Sequence, residues 1–315
     1  MLDLHRLRLL REVHLKGSIA EAAKSSSYSP SVISQHLSKL ARDLGVDLLV
    51  TKDRRATLTD QAVFLLGYVE QALSILEQAE AELQGLQEEP FGSVRLGTLN
   101  SIAAFRLPGL FHRISEKYPK VTPHFRYADA TMAVDLLVSG ALDIAIAEEV
   151  KFTPLRVDRS LEMLPIGRER IPAFLPAGYQ AAIPPTLEEL EGIPWIFEPE
   201  GTTAYEWASS CCLELGFQPR VLYTSPDHYT HVRFLEAGVA AAFLPGGLSA
   251  GGPKGLTEID FKEVDTGREL YCLYRKSVRA RPAIMAVVGE IERLFDELPD
   301  VESDLPTRGR TDAAD

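Results

Sequence analysis

The first 45 residues alternate apolar and polar positions at helical spacing, which predicts three short helices. The apolar positions of 2–13 form one stripe, and Gly17 ends the first helix. Ser18, followed three residues later by an acidic residue, is a capping box that begins the second helix. Ser29 and the proline after it begin the third helix as N-cap and first helical residue. The last two helices therefore enclose a short polar turn.

The third predicted helix has one apolar and one polar face. Its inward positions are Ile33, Leu37, Leu40 and Leu44. Its outward positions are small, polar or basic: Ser29, Ser31, Ser34, Gln35, Ser38, Lys39 and Arg42. A helix that enters the major groove of DNA presents such a face, so we expect the first six of these residues to bind DNA. The alternative is an ordinary helical hairpin whose polar face is solvated.

A β-hairpin is predicted after Gly45, where two short apolar runs flank a basic tip at 52–55. Arg54 and Arg55 in this tip are expected to reach DNA phosphates. A hairpin that directly follows two such helices corresponds to the wing of a winged helix-turn-helix.

Residues 2–62 resemble the N-terminal domain of LysR-type transcriptional regulators. The matching motifs are A-E-A-A-K, S-P-S-V-I-S-Q-H-L-S-K-L, L-G-V-D-L-L and R-R-A-T-L-T. The order of the later segments extends the resemblance over nearly the whole chain. It implies an N-terminal all-α winged helix-turn-helix with a long linker helix, then an α/β two-lobed effector domain similar to periplasmic solute-binding proteins. It further implies a sequence-specific regulator that binds double-stranded promoter DNA and a small-molecule effector, as a homodimer or homotetramer.

The predicted linker helix at 61–89 carries apolar residues at spacings of three and four. The stripe consists of Ala62, Leu65, Val69, Ala72, Leu76, Ala79, Leu83 and Leu86. We expect Leu65, Val69, Leu76 and Leu83 to form the dimerisation surface, and the resemblance implies antiparallel pairing with a second subunit. A single amphipathic helix packed on its own body is the alternative.

Strands and helices alternate from residue 92 onward, which predicts two similar α/β lobes. The expected division is 1–60 for the DNA-binding domain, 61–89 for the linker, 92–162 with 266–300 for lobe 1, and 163–265 for lobe 2. One uninterrupted helix is expected at 102–117. The polar tail at 301–315 is predicted to be disordered.

Two lobes of this kind bind a ligand between them, where strands end and helices begin. Three such corners are expected to meet there, and the predicted effector-binding residues are Asn100, Ser101, Ile102, Thr202, Thr203, Tyr205 and Pro245. The candidates for an apolar wall are Ile102, Phe105, Phe197, Tyr205 and Trp207. Backbone N–H groups and hydroxyls at helix starts suit an anion, so we expect an organic acid or a polar metabolite. The alternative is that these residues are simple helix caps and core aromatics.

The net charge of −12 is unevenly distributed: residues 1–60 carry +3 and the remainder −15. A mildly basic head on an acidic body can bind DNA at one end, while indiscriminate nucleic-acid binding is excluded. No apolar run reaches the eighteen or so residues that span a bilayer, and the N-terminus lacks a signal-peptide layout. We therefore expect a cytoplasmic protein with no membrane partner.

An enzyme is the main alternative class. The sequence shows no Ser-His-Asp arrangement, phosphate loop, dinucleotide fingerprint or metal-ligand cluster, so we expect neither catalysis nor a cofactor or metal. His228 and His231 are expected to be surface or cleft histidines because no third metal ligand is evident. Cys211, Cys212 and Cys272 are expected to be reduced, half-buried thiols, and a redox pair with Cys272 is the alternative.

Overall fold

The computed structural model describes residues 2–26, 28–52, 55–86, 89–180, 184–245, 256–259, 261 and 263–297. The head and linker contain α1 (Leu4–Lys16), α2 (Ile19–Ser25), α3 (Pro30–Leu44), β1 (Leu49–Lys52), β2 (Arg55–Leu58) and α4 (Asp60–Gly85). The predicted tail at 301–315 lies outside the described residues.

The helical head forms around buried leucines of α1 and α3. Gly17 ends α1 in the left-handed conformation at φ 73°, as its position predicts. The Ser18 hydroxyl accepts a hydrogen bond from the Glu21 backbone N–H at 3.1 Å. The capping box is only half formed, because the Glu21 carboxylate pairs with Lys24 at 2.6 Å. The head is not all-α, since β1 and β2 pair as an antiparallel hairpin, which confirms the predicted wing.

The apolar stripe of α4 divides into two parts. Ala62, Leu66 and Val69 are buried in the core of the head, and Leu65 is partly buried against it. Val69 is therefore covered by the chain's own core, which corrects its assignment to the dimerisation surface, whereas the predicted role of the partly buried Leu65 stays a prediction. An apolar row on the outer side of α4 stays exposed: Phe64, Tyr68, Ala72, Ile75, Leu76, Ala79, Leu83 and Leu86. We call this row the outer stripe.

Lobe 1 is built on a five-stranded sheet with α6 and α11 on one face and α7 on the other. Its elements are β3 (Gly92–Thr98), α5 (Asn100–Phe105), α6 (Leu107–Lys117), β4 (Val121–Tyr127), α7 (Ala130–Val138), β5 (Ile144–Val150), β6 (Leu161–Arg170), β12 (Gly267–Arg275), a 3-10 turn (Lys276–Val278) and α11 (Pro282–Asp296). The strand order is β4-β3-β5-β12-β6, with β12 antiparallel to both neighbours. The helix predicted at 102–117 is broken at Arg106, where α5 ends.

In the described residues, lobe 2 holds a smaller sheet region with three helices. Its elements are β7 (Ala173–Leu175), α8 (Leu187–Gly192), β8 (Pro194–Phe197), α9 (Thr203–Glu214), β9 (Arg220–Thr224), α10 (His228–Glu236), β10 (Ala242–Phe243) and β11 (Thr257–Ile259). A bridge between Trp195 and Ala241 joins the β8–β9 pair to the β10–β7–β11 sheet. Trp195 is fully buried and stacks on Phe243 at 5.5 Å.

The boundary between the lobes differs from the prediction. β6 remains paired with β12 as far as Arg170 opposite Gly267, so the chain leaves the sheet of lobe 1 at residue 170 and not at 162. The strand shows no break at 163, because its pairing with β12 continues on both sides of a register shift between Leu270 and Tyr271.

Candidate functional sites

The outer face of α3 is exposed beside the wing. Ser31, Gln35, Ser38 and Lys39 are exposed, while Ser34 is half-buried. Ser29 caps the helix, because its hydroxyl accepts a hydrogen bond from the Val32 N–H at 3.4 Å and lies 2.8 Å from the Ser31 hydroxyl. The face therefore offers hydroxyl, amide and ammonium groups, the kinds of group that contact base edges and phosphates.

Three aromatic rings beside α3 were not anticipated from the sequence. His5 lies 5.5 Å from Tyr28 and 5.2 Å from His36, measured between ring centroids, and all three pairs meet edge to face. This cluster joins the start of α1, the turn before α3 and α3 itself. No periodic pattern links the three positions, so only the folded head brings them together.

In the wing, Lys52 at the end of β1 lies opposite Arg55 in the strand register. Arg55 begins β2. Arg54 lies outside the described residues. Its expected phosphate contact thus remains a prediction.

A cavity of about 340 Å³ lies between the two lobes. Asn100, Ser101, Thr202, Thr203 and Pro245 line it, as the three predicted corners require. The other two predicted effector-binding residues, both expected in the apolar wall, do not line it. Because they lie further into their helices, their side chains turn toward the sheets: Ile102 is buried in the core of lobe 1, and Tyr205 packs against the core of lobe 2.

The predicted apolar wall is also corrected in part. Phe197 and Trp207 line the cavity. Phe105, by contrast, is 44% exposed and lies outside it, on a separate groove between α5 and α10. It is the last residue of α5, on the helix face that contacts this groove.

The hydroxyls at two of the corners have partners within the protein. Thr202 caps α9: its hydroxyl accepts from the Tyr205 N–H at 3.2 Å and donates to the Pro199 carbonyl at 2.8 Å. The Ser101 hydroxyl accepts from Arg268 Nη1 at 3.2 Å. Replacing Thr202 would therefore disturb the start of α9 itself, as well as any ligand contact.

Arg268 lies at the base of the cavity and is only 3% exposed. Its Nη1 donates to Glu148 at 2.7 Å, and its Nε donates to Glu169 at 2.8 Å. Its Nη2 also pairs with Glu169. One guanidinium thus joins β5, β6 and β12 near the passage between the lobes, with two carboxylates as partners.

Glu198 follows β8 directly and lines the cavity. Burial, with the nearby charge of Glu148, raises the pKa of Glu198 from 4.5 to about 7. Its Oε1 lies 3.7 Å from Nε2 of His228. Burial, with the neighbouring His231, lowers the pKa of His228 to about 3, so this imidazole is neutral at physiological pH. Glu198 is therefore a carboxyl group with a pKa near neutral pH, and it lies beside a neutral histidine.

His228 and His231 are cleft histidines, as one of the two expectations had it. His231 Nε2 lies 2.8 Å from the Ser225 carbonyl, so it donates there, and its Nδ1 is buried without a hydrogen-bond partner in the described structure. Over the described parts of the chain, no three His, Cys, Asp or Glu side chains form a group that could hold a metal ion.

The charged groups of the cavity were missed by sequence reasoning. Glu148 and Arg268 each belong to a strand whose other positions are mostly buried. A charged residue in such a strand is the signal that could have identified them, because an unpaired charge there is costly. Glu198 carried no such signal, since it lies in a polar segment after β8.

The three cysteines are fully buried free thiols rather than half-buried ones. Burial raises the pKa of Cys211 to about 12 and raises the pKa values of Cys212 and Cys272 as well. Because the thiolate is the reactive form, these environments oppose a redox role.

Known proteins resemble this chain over almost all of its length. Residues 4–63 match the model of the bacterial regulatory helix-turn-helix protein, lysR family, and residues 87–296 match the LysR substrate binding domain. The HTH-type transcriptional regulator YybE of Bacillus subtilis is 22% identical over 229 residues, which cover 72% of this chain and 77% of that protein. Within the described residues, no helix is long and apolar enough to cross a membrane.

Two solved structures show the same fold. A full-length OxyR variant from Pseudomonas aeruginosa aligns with a TM-score of 0.65 at 18% identity, covering 94% of this chain and 95% of that one. Full-length CbnR, a structure that contains its target DNA, aligns with a TM-score of 0.52 at 18% identity, covering 93% of this chain and 100% of that one. With both domain models matched in their order along the chain, this protein belongs to the LysR family of bacterial transcriptional regulators.

Proposed function

We propose that this chain is a sequence-specific transcriptional regulator whose α3 enters the DNA major groove and whose cleft binds a small-molecule effector. The observation that carries the proposal is the exposed polar face of α3. The opposite face of this helix is buried in the core of the head through Ile33, Leu37 and Leu40. The effector is an organic acid or another polar metabolite, because the lining of the cavity combines charged, polar and aromatic side chains.

DNA contacts are divided between two kinds of side chain. In this proposal Gln35 and Ser38, which are exposed on the outer face of α3, contact base edges, and Lys39 of the same helix contacts a phosphate. The wing residues Arg54 and Arg55 add phosphate contacts in this proposal. The −15 charge of the rest of the chain repels the body from the duplex, which leaves the head as the contact.

The outer stripe of α4 supports pairing with a second copy. Its members are exposed at a spacing of three and four, and Phe64 and Tyr68 already contact each other edge to face at 5.4 Å. An apolar row of this length on one helix is costly in water and fits a partner helix of the same kind. A paired linker would set the spacing of two α3 helices on an operator.

A regulator is favoured over an enzyme. The proteins that resemble this chain are regulators by name, and the cleft residues form ion pairs with one another. No cofactor enters the proposal, and its site of action is the cytoplasm, where promoter DNA lies.

Affinity selection of genomic fragments by the full-length chain, followed by fluorescence anisotropy on the enriched fragments, tests this proposal. We expect enriched fragments to bind at least about a thousand-fold more tightly than bulk DNA at the same salt concentration. The control is the same fragments in which the bases of the enriched sequence motif are scrambled. Equal affinity for enriched and scrambled fragments would exclude a sequence-specific regulator.

A further inference from the structure

We infer that the cleft takes a ligand that carries a cationic donor group, such as a protonated amine, and that the carboxylate of Glu198 receives it. The inference rests on the proposed function, since it names the ligand class of that cleft. It narrows the proposed class of effector to polar metabolites that carry a positive charge and leaves out simple organic acids.

The balance of charge around the cavity is negative. Three acidic residues line it, Asp129, Glu148 and Glu198, against one Lys or Arg side chain among its described lining residues, Arg268. The histidines do not change this balance, because His228 has a pKa of about 3 and is neutral. An anionic ligand would enter a cavity that already has an excess of negative charge.

Arg268 is not available to a ligand carboxylate. Its guanidinium donates to Glu148, to Glu169 and to the Ser101 hydroxyl, and it is 3% exposed. An incoming anion would have to displace one of these buried carboxylates, which would then lose its partner. The positive charge of Arg268 is therefore paired with the protein's own carboxylates, those of Glu148 and Glu169.

Glu198 is in the opposite situation. Its side chain is 21% exposed and lines the cavity, and no described residue donates a hydrogen bond to its carboxyl group. Its Oε1 lies 3.7 Å from the neutral His228. A ligand ammonium at this position would pair with a carboxylate to which no cationic side chain is paired in the described part of the chain.

The buried histidine nitrogen supports the same class of ligand. The Nε2 of His231 donates to the Ser225 carbonyl, so Nδ1 carries a lone pair. That nitrogen is buried without a donor in the described structure, and His231 lines the same cavity. The cavity wall thus presents an acceptor at Glu198, and His231 brings no competing positive charge because burial lowers its pKa.

A cation at Glu198 couples binding to pH in a defined direction. Bound ammonium favours the ionised carboxylate, so a group with a pKa of about 7 loses its proton on binding. Amine affinity should therefore rise about tenfold between pH 6 and pH 8, whereas an anion at the same place would bind more weakly as pH rises. The charged and titratable groups that face Glu198 are Tyr127, Asp129, Glu148, His228 and Arg268.

Pairs of probes with matched carbon skeletons test the inference on the full-length chain. Putrescine is compared with succinate, and benzylamine with benzoate, by thermal shift and calorimetry from pH 6 to pH 8. We expect an amine to raise the Tm by about 2–4 °C at ten times its Kd, and Glu198→Gln to weaken its binding at least about tenfold. Glu200→Gln, an exposed neighbour outside the cavity, is the matched control and should bind like the parent.

Each outcome decides the inference. Amine binding that tightens with pH in the unmodified protein supports it, even if Glu198→Gln folds poorly. Binding of the acids alone, no shift with either amine, or amine binding that Glu198→Gln leaves unchanged overturns it. Fluorescence anisotropy on the enriched DNA fragments separates the two proposals. DNA binding without amine binding would refute this inference alone. Amine binding without DNA binding would refute the proposed function alone.

Discussion

Glu77 of the linker helix and Arg275 at the end of β12 form a two-point ion pair, with 2.7 Å from Nη2 and 3.0 Å from Nε to the carboxylate. Arg275 also donates through Nη1 to the carbonyls of Leu137 and Leu142, at 2.6 and 2.7 Å. The Ser277 hydroxyl adds another contact to Glu77. The linker is thereby fixed to the body through one largely buried arginine.

Removing the charge of Glu77 should destabilise the protein. Burial would raise the pKa of Glu77, but the hydrogen bonds and charge of Arg275 lower it below 4.5. The pair is therefore fully formed above pH 4.5, and its contribution is lost as pH falls through the lowered pKa. We expect Glu77→Gln to lower the free energy of unfolding by about 1–3 kcal/mol at pH 7, and the difference to shrink below pH 4.5.

Urea unfolding measures this difference, with Glu80→Gln, an exposed glutamate one turn along α4, as the control. An unfolding midpoint for Glu77→Gln that equals that of the control at pH 7 would show that the ion pair adds nothing.

The assignment of α3 as the reading helix predicts a change in base preference. Gln35→Ala removes an exposed amide that can bind adenine at two points, so the best site should lose about 1–3 kcal/mol while other sequences lose little. Selection on randomised duplexes measures the preference, and Gln71→Ala on α4 is the control. An unchanged preference for Gln35→Ala would place another element in the groove.

A different result is expected for the ammonium on the same helix. Lys39→Ala should weaken binding to all duplexes alike and lower the slope of log affinity against log salt by about one. Titrations of one specific and one scrambled fragment over a salt series check this. Loss confined to the specific fragment would assign Lys39 to a base contact instead.

The outer stripe predicts two distinct outcomes along α4. Leu83 is 65% exposed and Val69 is 2% exposed. Leu83→Asp should abolish the dimer without unfolding the chain, because the charge is buried only when a second helix covers it. Val69→Asp should unfold the head, because it places the charge in the chain's own core. Sedimentation and circular dichroism distinguish the two, and a persistent Leu83→Asp dimer would refute pairing through this stripe.

Glu198 should make the ligand-free protein less stable at high pH. Between its ordinary pKa of 4.5 and its folded pKa of about 7, the native state keeps a proton that the unfolded state releases. Stability therefore falls as pH rises through this window, and the cost reaches up to about 3 kcal/mol above it. Glu198→Gln should be more stable than the parent at pH 8 and equal to it at pH 4. Parallel stability curves for the two proteins would contradict the raised pKa.

Local patterns were sufficient for the head and for the helix starts. The N-caps at Ser18 and Ser29 and the end at Gly17 depend on residues within one turn of each other, so they could be predicted and are confirmed. The corners at Ser101 and Thr202 were also found, because a strand followed by a helix marks them locally.

Contacts between residues that are far apart in the sequence could not be predicted from such local patterns. Arg268 meets Glu148 and Glu169 across 120 and 99 residues of sequence, and no spacing rule relates them. The dimerisation surface of α4 could be predicted only in part for a related reason. A row of apolar residues does not show whether the chain's own head or a second chain covers it. Val69 and Leu83 fit one seam in sequence, yet one lies in the core and the other on the surface.

Helix α7 spans the distance between the cavity and the head. Asp129, its N-cap, and the first turn line the cavity, while the carbonyls of Val138 and Ser139 at its other end accept hydrogen bonds from Arg11 of α1. Nine residues of helix measure about 13 Å, a length over which a helix is stiff. We expect a ligand that displaces the first turn of α7 to displace the hydrogen bonds of Arg11 as well, because this short helix lies between them. The DNA-binding head therefore has a connection to the cavity in addition to the one that runs through the linker helix.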